Sequence, residues 1–344
     1  MNIQEQENIE VMAADEAAVT DSSECASGCA DVPKDRAAAS CRAKKTSIGG
    51  QAVIEGVMMR GPELSAMSVR LPDGTIDTET WPNRVTKISK IPFIRGVYNF
   101  VTTLLQGYKT LMRSAEKAGV EEEPSAFEKK LEKLFGDNLY KIITVVASVI
   151  AVALALLLFM FVPSWLASLT SAFLPETMRT VLEGIIKIIV FVLYIYLTSL
   201  LSDIRRVYQY HGAEHKTIAC YEAGDELTPE NVAKYRRFHP RCGTSFMIIV
   251  LIISIVIFSL PFVPWDNLFL RVLVKLALLP VITSIAYELI KFAGRHDNIV
   301  TRVISAPGVW LQHITTNEPD RSQIEVAIAS MKCVIPEDSE SDLW

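Results

Sequence analysis

The chain has 344 residues, of which 50% are hydrophobic and only 21% are charged, and its mean hydropathy of +0.27 is too apolar for an ordinary soluble domain of this size. The net charge of -5 comes from the start of the chain, so no basic surface for nucleic acid is indicated. The composition therefore excludes a nucleic-acid-binding protein and predicts an α-helical polytopic membrane protein. The six scattered cysteines also lack the dense framework that staples small secreted folds.

Residues 1–45 are predicted to form a disordered acidic tail. Residues 1–40 hold nine acids against two bases and lack aromatic side chains, so they cannot bury enough apolar surface to fold. Residues 46–90 are predicted to form a small β module. Its Pro-Asp-Gly sequence at residues 72–74 is typical of a turn between two strands, because proline presets the turn and glycine accepts a positive φ. The apolar stretch at residues 49–62 is typical of a strand.

Residues 91–140 are predicted to form amphipathic helices at the membrane surface. Between Ile91 and Gly119, apolar side chains recur at helical spacing. Long basic side chains beside such an apolar stripe favour a helix that lies on the membrane interface. A helix packed in an ordinary core is the alternative, since it would show the same periodicity. The basic residues of this segment are Arg95, Lys109, Arg113 and Lys117.

Residues 141–290 are predicted to form a membrane domain of four helices, because four stretches are apolar and near the length that crosses a hydrocarbon core of about 30 Å. The fourth contains Arg271, Lys275 and Glu288, so we expect other helices to shield it. An ion pair of Glu288 with Arg271, Lys275 or Lys291 is expected. The four predicted spans are Ile142–Val162, Val181–Leu201, Phe246–Val263 and Leu268–Ile290.

Basic residues near these spans predict the orientation, since cytoplasmic flanks are enriched in lysine and arginine. Residues 202–245, between the second and third spans, carry seven such residues, whereas the connection between the first and second spans carries only Arg179. We therefore predict that residues 202–245 form a cytoplasmic loop, that residues 291–344 form a cytoplasmic C-terminal segment, and that both termini are cytoplasmic. Membrane lipids are the expected partners.

The predicted cytoplasmic loop contains a motif of the metal-binding type, His211-Gly-Ala-Glu214-His215. If a helix continues into the loop, His211 and His215 lie one turn apart on the same face, where two imidazoles can bind one ion. The pattern matches the inverted zinc-hydrolase motif, in which both histidines bind zinc and the glutamate acts as a general base. It predicts His211 and His215 as ligands of a divalent transition metal of the zinc type, with Glu214 as the catalytic residue.

His239 and Cys242 precede the third span and are the other two expected metal ligands. Four protein ligands would make a closed structural site, whereas three ligands and a water would make a catalytic one. An acidic residue of the loop can also take the place of Cys242. The alternative is that the histidines bind no metal and contact lipid headgroups or backbone carbonyls. The acidic candidates are Glu222, Asp225 and Glu226.

Four strings of the chain carry a family resemblance. They are Gly49–Pro62, His211–Lys216, His239–Phe246, and the stretch from Ala306-Pro307-Gly308 to Glu318-Pro319. Together they closely resemble the bacterial domain-of-unknown-function 1385 family of YqhQ-like proteins, over about residues 46–334. The resemblance implies a bacterial cytoplasmic membrane protein and favours a metal, because members are described as predicted metal-dependent enzymes. The family's motif residues correspond to Glu55, Arg60, His211, Glu214, His215, His239 and Cys242.

The first functional hypothesis is a metal-dependent membrane enzyme, hydrolytic in type, with its site at the cytoplasmic membrane face. Glu55 and Arg60 are expected to bind the substrate, either by closing the pocket or by contacting an anionic headgroup. The second hypothesis is a non-enzymatic scaffold or assembly factor whose metal locks the loop. A small transporter is a weaker third, because the first and third predicted spans carry few polar residues that could line a path.

Overall fold

A computed structural model describes residues 45–83, 86, 91–119, 139–260, 265–296 and 298–336. The acidic tail predicted at the start of the chain lies outside the described residues, except for its last residue. The strands are β1 (Gly49–Val53), β2 (Gly56–Arg60), β3 (Leu64–Arg70) and β4 (Ile76–Pro82). The helices are α1 (Ile94–Lys117), α2 (Leu139–Leu156), α3 (Val162–Ser168), α4 (Glu176–Ser199), α5 (Ser202–Ala223), α6 (Pro229–Val232), α7 (Gly243–Phe258), α8 (Leu268–Arg295), α9 (Ile299–Thr315) and α10 (Arg321–Lys332), with a π-helical turn, Leu157–Phe161, between α2 and α3.

The four strands form one antiparallel sheet in the order β1-β2-β3-β4, which confirms a small N-terminal β module. The turn between β3 and β4 is the predicted one, since Leu71 and Thr75 bond across it and Gly74 has a φ of 88°. A second turn, at Glu55 with a φ of 52°, separates β1 from β2. The apolar stretch of residues 49–62 is therefore a hairpin of two strands and not one strand.

The sheet lies between helix α1 on one face and helices α5 and α10 on the other. Met58 belongs to an apolar cluster with Leu111 of α1. Met59, the next residue along β2, points to the opposite face and belongs to a cluster with Tyr210 of α5 and Ile324 of α10. Because both faces of the sheet are covered, α5 is held in place by a packed core along one side.

Three helical segments are long and apolar enough to cross a membrane, namely Val145–Ser168, Glu176–Ser199 and Leu268–Ala293. Their length and composition support the predicted class of helical membrane protein. The fourth predicted span, Phe246–Val263, corresponds to α7, whose 16 residues rise only about 24 Å at 1.5 Å per residue. The last three residues of that predicted span lie outside the described residues.

Glu288 of α8 forms its ion pair with α1. Its Oε2 lies 2.5 Å from Nη2 of Arg95. Of the three partners that the sequence suggested, Lys291 interacts electrostatically with Glu288, whereas Arg271 and Lys275 do not contact it. Arg271 and Lys275 lie about 20–25 Å away along the same helix, at 1.5 Å per residue, and cannot reach it. They contact a glutamate of α4 instead. The ion pair between Arg95 and Glu288 connects the β module and α1 to the membrane helix α8.

Candidate metal centre

Helix α5 places the three residues of the His-Glu-His motif on one buried face. The helix starts after Leu201, whose backbone is extended, and it ends at Gly224, which has the left-handed conformation of a helix C-cap. His211, Glu214 and His215 therefore lie within one turn of each other on the same face. Glu214 and His215 are only 5% and 1% exposed.

Cys242, the residue immediately before α7, lies against this face of α5. Its Sγ is 3.2 Å from Nε2 of His211, and the ligand atoms of His211, His215 and Cys242 all lie within 4.8 Å of one another. Zn–N and Zn–S bonds are about 2.0–2.3 Å long, so one ion can lie between the three atoms. Two imidazoles and a thiol are also the donor types that zinc-type ions prefer. The residues present therefore fit a metal of this kind.

Backbone carbonyl groups hold the rings of both histidines. Nδ1 of His211 lies 2.8 Å from the carbonyl oxygen of Thr315, and Nδ1 of His215 lies 2.6 Å from that of Arg237. Because a carbonyl oxygen only accepts, each Nδ1 donates its proton, and in the neutral ring Nε2 keeps a lone pair. Metal-binding histidines typically donate the other ring N–H to a carbonyl or carboxylate in this way.

The charges at this site favour a thiolate next to a protonated imidazole. Burial lowers the pKa of His211, but the charge of Cys242 and the hydrogen bond with it raise the pKa to about 9. Burial opposes ionisation of Cys242 as well, but the positive charges of His211 and His215 bring the pKa of its thiol well below the usual value. The thiolate is the form of cysteine that binds metal ions. A metal ion that binds Nε2 of His211 would therefore have to displace the proton of the imidazolium, so metal affinity should rise with pH.

Glu214 lies beside the ligand atoms and beneath strand β1. Its Oε2 is 4.0 Å from Nε2 of His211, and the backbone N–H of Gly50 donates a hydrogen bond to its carboxylate. A Cβ at Gly50 would lie 3.0 Å from Cδ of Glu214 and 2.7 Å from the carbonyl oxygen of Met58, so this close approach requires glycine. Burial raises the pKa of Glu214, because a poorly solvated carboxyl group disfavours its charged form.

His239 lies next to the site, but its ring faces other partners. Its ring centroid is 5.7 Å from that of His215, while its Nε2 is 3.7 Å from Oε2 of Glu222 and 3.2 Å from Nη2 of Arg241. The side chain of Gln312 bonds to both the N–H and the carbonyl of His239. Of the four predicted ligands, the structure brings three together and places His239 beside them.

The acidic residues considered as substitutes for Cys242 have other surroundings. Glu222 pairs with Arg241. Asp225 accepts a hydrogen bond of 2.5 Å from a tyrosine hydroxyl, and Glu226 is exposed. Within the described part of the chain, the group of converging ligand atoms includes none of these three carboxylates.

The two predicted substrate-binding residues lie at the two ends of strand β2. Glu55, in the turn before the strand, pairs with Arg206 of α5 and accepts a hydrogen bond of 3.2 Å from the hydroxyl of Tyr210. Arg60, the last residue of the strand, is exposed and pairs across the sheet with Gly49. Arg60 therefore lies near the part of β1 that covers the motif glutamate, whereas Glu55 is held in an ion pair.

Four groups that shape the site were not identified from the sequence. They are the carbonyls of Thr315 and Arg237, the N–H of Gly50 and the side chain of Gln312. Three of them are backbone groups, which every residue type offers, so their use leaves no signature in the sequence. Gly50, Gln312 and Thr315 lie within the strings that carry the family resemblance, but the resemblance assigns no role to any of them.

Comparison with known proteins gives a family and a relative. The family model described as "Protein of unknown function (DUF1385)" matches residues 91–337. The "Uncharacterized protein YqhQ" of Bacillus subtilis (strain 168) is 37% identical over 289 residues, which cover 82% of this chain and 90% of the relative. No solved structure matches the chain. The chain therefore belongs to the family of proteins of unknown function 1385.

Proposed function

We propose that this protein is a metal-dependent membrane enzyme of the hydrolytic type. The observation that supports the proposal is the convergence of the ligand atoms of His211, His215 and Cys242 beside the buried carboxylate of Glu214. Three protein ligands with a neighbouring acid are typical of catalytic zinc sites, whereas structural sites have four protein ligands. Zinc is the ion that this donor set favours.

Each residue of the site would have a separate role in hydrolysis. A zinc-type ion, when bound, supplies Lewis-acid chemistry and lowers the pKa of water. His211 and His215 hold the ion, and the carbonyls at their Nδ1 atoms orient both rings before it binds. Glu214 accepts the proton of the attacking water and then donates it to the leaving group, a role that its raised pKa supports.

The proposed site lies at the cytoplasmic face of a bacterial cytoplasmic membrane, with both termini on that side and α7 as a fourth span. The basic residues around α5 support this orientation. Helix α1 lies at the membrane surface in this arrangement, since Leu104 and Leu105 are 56% and 61% exposed. Lipids or peptides at the interface are the substrates that such a location favours, with Arg60 available for an anionic headgroup.

A scaffold or assembly factor with a structural metal is the second candidate. The site joins segments that are far apart in the sequence, because Thr315 at the end of α9 and Arg237 before α7 bond to the two histidines of α5. An ion bound there would lock these segments together. Glu214 would then contribute nothing to function, and this difference separates the two candidates.

The metal is tested first. The protein purified in detergent should contain about one zinc-type ion per chain by inductively coupled plasma mass spectrometry, as expected for a single site. The His211→Ala/His215→Ala variant should contain none. The matched control is His296→Ala/His313→Ala, which removes two exposed histidines and should keep the metal. Equal metal contents in all three proteins, or none in the wild type after incubation with zinc, would contradict the proposal.

Catalysis is tested with Glu214→Gln, which keeps the size of the side chain and removes its ability to accept a proton. The variant should retain its metal and lose hydrolysis of whichever labelled lipid or peptide the wild type cleaves in a screen, by about 100-fold or more. Unchanged turnover would exclude the proposed role of Glu214. A wild type that holds metal, turns over nothing in the screen, and unfolds at lower temperature when the metal is removed would favour the scaffold.

A further inference from the structure

A second group of charged side chains is buried between the membrane helices, away from the candidate metal centre. It lies in the half of α4 that begins at Glu176, whereas the metal centre follows the other end of that helix. Burial of charge inside a membrane domain is costly, so such groups have a partner or a ligand. The members are Glu183 and Lys187 of α4, Arg271 and Lys275 of α8, and Ser164 of α3.

The carboxylate of Glu183 is fully occupied by three of these side chains. Its Oε2 accepts hydrogen bonds from Nη2 and Nε of Arg271 at 2.7 and 3.2 Å. Its Oε1 accepts from Lys275 and, at 2.6 Å, from the hydroxyl of Ser164. Both oxygens therefore already have close donors, and Glu183 neutralises no further cation by direct contact.

Lys187 is the cation of this cluster that makes no direct contact with the carboxylate of Glu183. Its side chain is only 6% exposed, and within the described part of the chain no hydrogen bond or ion pair to its ammonium group is found. The group lies 5.0 Å from the ring centroid of Phe258, and the ammonium of Lys275 lies 5.3 Å from the same centroid. A cation–π contact of this kind contributes about 0.5–2 kcal/mol, and a hydrogen bond to a negatively charged partner would be stronger.

The balance of charge points to an anion. Three buried cations, Lys187, Arg271 and Lys275, face one carboxylate, that of Glu183. Arg179, one turn before Glu183 in α4, pairs with Glu176 at 3.6 Å and lies over the ring of Trp265, so it adds no net charge to this balance. A cluster with this surplus of positive charge in a medium of low dielectric constant attracts a negative ligand strongly.

We propose that Lys187 and Lys275 bind a small inorganic anion of the chloride type between the membrane helices. Two ammonium groups on one aromatic ring give the anion charged donors from two helices, α4 and α8. The α-carbon of Lys187 lies about 16 Å along the helix from Glu176, at 1.5 Å per residue, which is deeper than a lipid headgroup lies. A small dissolved anion fits this depth, and it would hold α4 and α8 together.

The binding is measured on the full-length protein in non-ionic detergent. Sodium gluconate is exchanged for sodium chloride at constant ionic strength, and the unfolding midpoint is recorded by differential scanning fluorimetry. The midpoint should rise by about 2–4 °C once chloride exceeds its dissociation constant several-fold, and it should continue to rise with the logarithm of the chloride concentration. Binding of radioactive chloride is then measured directly by a scintillation proximity assay.

Lys187→Met is the test variant, because methionine keeps an unbranched apolar stem and removes only the ammonium group, so the fold should survive. It should bind no radioactive chloride and show no chloride-dependent rise. Lys109→Met, which removes an exposed lysine of α1, should behave as the wild type. Three results would overturn the proposal: no chloride binding in the wild type, unchanged binding in Lys187→Met, or an anionic phospholipid in native mass spectra that is lost in Lys187→Met.

Discussion

Gly212 lies between the two candidate histidine ligands, where α5 passes the chain segment after α9. A Cβ on Gly212 would overlap the carbonyl oxygen of Asn317. The neighbouring N–H of Asn317 donates to the carbonyl of Tyr208 at 2.8 Å, so the two backbones are held at this separation. A side chain of any size at residue 212 must therefore push the two segments apart.

We predict that Gly212→Ala lowers the free energy of unfolding by about 1–3 kcal/mol, the usual cost of inserting an atom into a packed contact. The measurement is the thermal unfolding midpoint of the purified protein in detergent. Gly243→Ala is the matched control, because a Cβ at Gly243 meets no atom within 4 Å. Equal unfolding temperatures for the two variants would contradict the close contact between α5 and Asn317.

At the scale of single residues, the sequence predicted the site groups that lie together on α5. It missed the groups that other parts of the chain contribute to the site. The four-residue spacing of His211 and His215 predicted their common face, because helix geometry alone sets it. The carbonyl of Thr315 lies 104 positions along the chain from His211, and any residue type could supply it. From the sequence, His239 and Cys242 were equally good candidates for a metal ligand. Only the packing of α7 and α9 shows that Cys242 faces the two histidines.

The C-terminal helix α10 is the element that covers the second face of the sheet, and its start has a complete capping box. Oδ1 of Asp320 accepts a hydrogen bond from the N–H of Gln323 at 2.9 Å, and the side chain of Gln323 accepts one from the N–H of Asp320 at 3.0 Å. Burial opposes ionisation of Asp320, but its hydrogen bonds from Ser322 and Gln323 lower its pKa below the usual value.

A pH dependence follows from the lowered pKa. The cap contributes its full stability above the unfolded pKa of about 3.9, and this contribution is lost as the pH falls through the lower folded pKa. We predict that Asp320→Ala costs about 1 kcal/mol at neutral pH. Asp320→Asn, which keeps the accepting oxygen without a charge, should cost less. The difference between wild type and Asp320→Asn should shrink below about pH 4.

The measurement is chemical unfolding in detergent between pH 7 and pH 3, followed by circular dichroism. The reference variant is Arg321→Gln, which changes an exposed residue in the same turn of the helix. A constant difference between wild type and Asp320→Asn across the pH range would contradict the charged cap.

The turn and the helix that are encoded by residues close together in the sequence were predicted correctly. The Pro-Asp-Gly turn and the periodic helix that became α1 are encoded by neighbouring residues. The turn at Glu55 was missed, because a non-glycine residue rarely has a positive φ. Helix α7 ends at Phe258, whereas the apolar run that predicted the span continues to Val263.

Across the whole molecule, α1 connects the β module to the membrane helices. Besides the ion pair of Arg95 with Glu288, Asn99 donates to the hydroxyl of Tyr287 at 2.8 Å, and Gly96 packs directly on the backbone of Ser284. The other half of α1 packs on the sheet that holds α5. The sequence predicted the membrane helices and the sheet separately. Their arrangement could not be predicted, because it depends on contacts between residues nearly 200 positions apart.

The proposed topology places the two ends of α4 on opposite sides of the membrane. The helix has 24 residues, which rise about 36 Å and are enough to cross a hydrocarbon core of about 30 Å. The connection before it is nearly free of basic residues, whereas the region after it is rich in them. The end that leads to the candidate metal centre is therefore expected in the cytoplasm.

We predict that a protease site inserted after Ser171, between α3 and α4, is cleaved when protease is added to intact spheroplasts. A site inserted after Gly224, at the end of α5, should be cleaved only after lysis, because it lies on the cytoplasmic side. Gly224 suits the insertion, since it is exposed and no neighbouring atom lies near its Cβ position. In inverted membrane vesicles the two sites should exchange their behaviour. Cleavage of both sites from the same side would show that α4 does not cross the membrane. Substrates at the cytoplasmic interface would then no longer be expected for the candidate metal centre.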